Sequence, residues 1–184
     1  MRISAALFSL MMVFVLNACD SEDCLQCVDC PDFTGEYRSM FTPQEDSCDG
    51  TAYSVGTTEV PAIVGGQMDI YLAEQGVETI KMRIIQDEIM AEMDGILCTP
   101  EESGGYRLQL TGSDNDFSEV TVHMYFRGDM VNPAEEYLDG GLPDGTVIGP
   151  DAYVLSGTLT VDYINNTDLN GSCRVSGKLE TFSW

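Results

Sequence analysis

The chain has 184 residues, with 31 acidic against 8 basic side chains and a formal charge of −23. Only Lys81 and Lys178 are lysines. Nucleic-acid binding depends on Lys and Arg neutralising phosphates, so this balance excludes a nucleic-acid partner. The acids are spread along the chain, which reads as a solvated surface kept soluble by mutual repulsion.

Met1-Arg2 opens with one positive charge, and an uncharged, mostly apolar run follows from Ile3 to Leu16. A membrane-spanning helix needs roughly 20 apolar residues, so the run is too short to span and has the layout of a secretory signal. It ends in Leu16-Asn17-Ala18-Cys19. This stretch resembles the lipobox of bacterial lipoproteins. The resemblance implies cleavage before Cys19, acylation of its thiol and membrane attachment through the acyl chains. Residues 1–18 are then a signal peptide, and the mature protein is one unit more negative because Arg2 leaves. No polybasic patch follows, since residues 20–23 are Asp-Ser-Glu-Asp, so the acyl chains anchor alone. The expected location is the cell envelope, at the outer membrane or surface. Asp20 after the lipidated Cys resembles the inner-membrane retention signal of some diderm bacteria.

Residues 19–32 read as an acidic, Cys-rich tether. With Cys19 acylated, six cysteines remain: Cys24, Cys27, Cys30, Cys48, Cys98 and Cys173. An even count in an exported chain predicts disulfides, whose pairing the sequence leaves open. The C-x-x-C-x-x-C cluster of Cys24, Cys27 and Cys30 has spacing that can also ligate zinc or an iron–sulfur cluster. No histidine lies nearby to complete such a site, and the disulfide reading is adopted.

Residues 33–184 read as one all-β domain. Phe33 to Phe41 is aromatic-rich and short. Met68, Ile70 and Leu72 alternate with polar neighbours. Val77 to Asp94 holds two apolar stretches split by Gln86-Asp87-Glu88, as a hairpin turn would split them. Leu108 and Leu110 alternate with polar residues; Val120, Val122, Met124 and Phe126 form another row. Leu155, Leu159, Val161 and Tyr163 follow, then Cys173, Val175 and Leu179. Period-two alternation means strands with one buried face. Gly, Asn, Asp and Ser cluster between the rows as turn signals. About seven to nine strands at hairpin spacing predict an antiparallel meander barrel or a β-sandwich. Residues 132–150, rich in Gly and Pro, read as one long loop. The opening Phe-x-Gly-x-Tyr strand, the run of hairpins and the closing Gly-Lys-Leu-Glu strand are similar to small lipocalin-like lipoproteins.

His123 is the only histidine, which excludes a multi-histidine metal site within the chain. No nucleophile elbow, P-loop, zincin or dinucleotide fingerprint is present. Asp114, Asp116 and Glu119 are weak calcium candidates, as are Asp139 and Asp144 in the long loop. Neither group has EF-hand spacing, and turns require the same residue types. The functional reading is a non-catalytic envelope binding or interaction module without a cofactor, whose partner is a small apolar ligand or an envelope protein. A carboxylate-dependent hydrolase, calcium-assisted or not, is the alternative, and a passive structural surface protein is the third.

Overall fold

A computed structural model of the chain describes residues 24–27, 29–48, 50–87, 89–100, 105–114, 117–132 and 153–182. The expected signal peptide, Cys19 and the loop expected at 132–150 (beyond Asn132) lie outside the described residues.

The architecture is an antiparallel barrel, which decides between the barrel and the sandwich. Its walls are β2 (Gly35–Asp46), β5 (Gly66–Ala73), β6 (Thr79–Gln86), β7 (Ile89–Pro100), β8 (Tyr106–Asp114), β9 (Val120–Val131), β10 (Val154–Asn165) and β11 (Cys173–Phe182). Each pairs with the next wall strand in sequence, and β11 returns to pair with β2, closing the cylinder. Two short strands, β3 (Ala52–Val55) and β4 (Thr58–Pro61), leave the wall between β2 and β5 as a separate hairpin. The predicted turn is present: Gln86 pairs with Ile89, and Asp87 takes the positive φ that a two-residue hairpin needs.

The alternating rows point inward as expected. Met68, Ile70, Leu72, Leu108, Leu110, Val120, Val122, Phe126, Leu159, Val161, Tyr163, Val175 and Leu179 are all buried. Two buried hydroxyls in this core are satisfied by backbone: Ser39 Oγ donates to the Met68 carbonyl, and Thr181 Oγ1 accepts the Leu155 N–H. Gly128 and Gly157 face each other across β9 and β10, and a Cβ on Gly157 would stand 2.4 Å from Gly128 Cα. Two strands can approach this closely only with glycine at the crossing. At the β2–β11 seam, Gly177 pairs with Pro43 and Ser176 with Glu45, which leaves Gln44 as the extra residue of a bulge. Pro43, which has no N–H to donate, sits beside this irregularity.

The two ends of the barrel differ. At one, the base, Phe33 plugs the opening, only 1 % exposed, with the rings of Tyr106 and Tyr153 each 5.0 Å away. Gln75 fixes the plug, accepting the Phe33 N–H and donating to the Pro31 carbonyl. Within the expected tether, Cys24–Gln26 form a strand, β1, so strand structure is already present upstream of Phe33. The reason is geometric. β7 runs beyond the start of β6, and β1 pairs with the overhanging Cys98–Pro100. The other end, the mouth, carries the β6–β7 turn, the β8–β9 and β10–β11 connections and the β3–β4 hairpin.

Candidate functional site

The site is built where the hairpin folds over the mouth. Gly56 and Thr57 make its turn, and Gly56 has φ +58 with Glu119 so near that a Cβ would meet its carboxylate at 2.8 Å. The same carboxylate accepts the Thr58 hydroxyl at 3.0 Å. Tyr53 donates to the Gly171 carbonyl at 2.5 Å, tying the hairpin to the 3-10 turn Leu169–Gly171.

Residues 62–64, which leave the hairpin, dip into the barrel. Ala62 and Ile63 are buried there, and two side chains of the wall receive their backbone. Tyr163 Oη accepts the Ile63 N–H at 2.8 Å. Gln86, itself buried, accepts the Val64 N–H through Oε1 at 3.1 Å and donates through Nε2 to the Val64 carbonyl at 2.8 Å. A backbone segment can enter an apolar interior only if its amides are met in this way. The Tyr163 hydroxyl is pushed up to about 12, first by burial, with the Asp46 charge adding and the Ile63 N–H opposing. It stays neutral and able to donate across the ordinary pH range.

Between hairpin and wall lies a cavity of about 670 Å³. Val60, Ile63, Ala91, Val122, Met124 and Val161 give it apolar walls, with Phe117 at the rim and Tyr163 within. That volume falls in the range of small-molecule sites, roughly 300–1,000 Å³. Met90, 67 % exposed, is the most exposed of the large hydrophobic side chains in the described chain and stands at the opening.

Among the described residues two carboxylates line the cavity, Glu92 and Asp114, and no base does. They stand on different faces of the sheet. Ala91 and Met93 take the buried positions of β7, so Glu92 points outward, where it pairs with Arg83. On β8 the inward row Leu108, Leu110, Gly112 ends in Asp114. A cleaving pair of carboxylates would need both groups inside.

Of the calcium candidates, Asp114 ends β8 and Glu119 is engaged by Thr58. Asp116, Asp139 and Asp144 lie outside the described residues. Among the described residues no group of three or more His, Cys, Asp or Glu stands close enough to hold a metal ion. His123 is exposed on β9, opposite Ser113 and Asp162. Cys48 is bonded to Cys173, Cys27 to Cys30, and Cys98 is also in a disulfide.

Sequence reading missed the β3–β4 hairpin and with it the cavity. The signal available was the turn-forming Gly56-Thr57 between Tyr53, Val55 and Val60. Fold and site together define an eight-stranded meander barrel with an apolar cavity under a lid hairpin. No protein-family model and no curated protein matches this chain.

Proposed function

We propose that this protein is a lipid-anchored envelope lipoprotein whose barrel binds a small, largely apolar molecule in the mouth cavity. The observation that carries the binding reading is the cavity itself: apolar walls, one inward carboxylate and one neutral phenol under a lid. A filled barrel would have no such space, and a passive surface protein has no use for one. The anchoring part rests on Leu16 to Cys19. Strand β1, the nearest described segment to Cys19, lies at the base, so an anchor there leaves the mouth open to solvent.

Two experiments test the two halves. The neutral fluorophore N-phenyl-1-naphthylamine should brighten on binding the purified protein, and Ala91→Phe, which fills the cavity, should abolish that signal with the far-UV spectrum unchanged. Equal brightening in that variant defeats the cavity reading. Cys19→Ser should move the protein out of the membrane fraction or leave the precursor uncut, and unchanged association with normal processing defeats the anchor.

A further inference from the structure

We propose that the mouth cavity selects an apolar molecule bearing one positive charge, received by Asp114 beside Phe117, and rejects anionic amphiphiles such as fatty acids. This rests on the reading of the cavity as a ligand site. Its ground is the sign of the opening. Among the described residues the lining has no Lys, Arg or His, and of its two carboxylates Asp114 stands on the inward row of β8 while Glu92 is paired with Arg83 on the outer face. Arg83, the base that meets Glu92, is held by it on the outer face. Glu119 adds a third carboxylate at the lid turn. Lys81, Arg107, Arg174 and Lys178 form ion pairs elsewhere, with Glu74, Asp129, Asp162 and Glu180.

An anionic head entering here would lose its water and face like charge with no base in the wall to offset either loss. A cationic head would be met by Asp114, which ends the inward row of β8, while its body replaced water along Val122, Met124 and Val161. A carboxylate offers about four acceptor sites, so Asp114 can serve a ligand while keeping contacts to its own chain. Phe117 at the same rim adds an aromatic face, which attracts a cation and does nothing for an anion.

The test uses three probes with one tail and different heads: dodecyltrimethylammonium, dodecanol and dodecanoate, below their micellar concentrations, competing against N-phenyl-1-naphthylamine on the whole protein. The ammonium should displace the dye at a concentration at least about tenfold below that of dodecanoate, with dodecanol between. Asp114→Asn should bring the ammonium to within about threefold of dodecanol and leave dodecanol unchanged. Isothermal titration should show the ammonium binding Ala91→Phe no longer. Dodecanoate binding as well as the ammonium, or a cation preference that survives Asp114→Asn, overturns the proposal. So does ammonium binding that survives Ala91→Phe, which is adsorption to the acidic surface. If the dye does not bind the native protein, the ligand-site reading itself falls; if it binds and the head-group order is wrong, only the charge selection falls.

Discussion

Cys48 and Cys173 stand with Cα atoms 5.1 Å apart although 125 residues separate them in sequence, and their bond joins the chain just past the first wall strand of the barrel to the start of the last. Around it, Ser47 N–H donates to the Arg174 carbonyl at 2.9 Å and Arg174 N–H donates to Ser47 Oγ at 2.8 Å. The bond therefore staples the mouth end of the seam that closes the cylinder.

A loop of this length, cross-linked in the unfolded chain, raises stability by about 5 kcal/mol in the chain-entropy account, within a usual range of about 2–5. Cys48→Ala with Cys173→Ala should lower the melting temperature by about 5–15 °C. Peptide mapping without reductant should recover residues 48 and 173 in one cross-linked fragment, and alkylation should find no free thiol among the six cysteines. An unchanged melting temperature removes the staple from the account of stability.

Gln86→Leu keeps the volume but leaves the Val64 N–H and carbonyl without partners inside the mouth. Each unmet buried group costs about 1–3 kcal/mol, so the variant should lose about 2–4 kcal/mol in a denaturant titration. The loss should be local before it is global: amide exchange at Val64 should speed up more than exchange along β9 and β10. Equal acceleration everywhere contradicts the stitching role of Gln86.

Alkaline pH should act through Tyr163. Its pKa is raised from 10.0 to about 12, so the folded state holds the proton more tightly than the unfolded chain. Below pH 10 both states are protonated and the group leaves stability unchanged. Between 10 and 12 the unfolded state alone ionises, stability falls with rising pH, and the loss reaches about 2–3 kcal/mol above 12. Tyr163→Phe should flatten this part of the stability profile, while costing about 1–3 kcal/mol at neutral pH because the Ile63 N–H loses its acceptor. A slope that persists in the variant assigns the alkaline transition to other tyrosines.

Salt should stabilise the protein. At −23 the surface repels itself, and the five described ion pairs are at least partly exposed, so screening removes more repulsion than attraction. The screening length falls from about 10 Å at 0.1 M to about 3 Å at 1 M. The melting temperature should be higher in ~1 M NaCl than in ~0.02 M, and potassium acetate should act alike. Insensitivity to both salts together with a rise in millimolar calcium would return Asp114, Asp116, Glu119, Asp139 and Asp144 to the front as ligands.

The wall of the barrel was legible because period-two burial is a local property. Val122, Met124 and Phe126 alternate in sequence and in the structure for one reason, a sheet with one dry face. The hairpin turn at Asp87 was legible because charged residues interrupt two apolar runs. The hairpin at Ala52–Pro61 was not, since its four-residue strands carry too few apolar positions for a period. It is held by Glu119, Gly171, Tyr163 and Gln86, all distant in sequence. β1 was hidden for a related reason: Cys24-Leu25-Gln26 is too short to show a period, and its pairing depends on how far β7 overshoots β6. Tyr163 was readable as a core residue, but the use of its hydroxyl depends on a partner 100 residues away.

Every wall pairing but one joins neighbours along the chain; the exception is β2 with β11. Until the last ten residues of the barrel have been synthesised, the nascent protein is an open curved sheet whose β2 has no partner on one side. An unpaired edge of twelve residues is a template for another copy of the same sheet. A chain that stops before Cys173 should therefore accumulate as intermolecular aggregates, even though it retains nearly all of the barrel's local pairings. The final strand sets the interval during which the protein is most exposed to self-association.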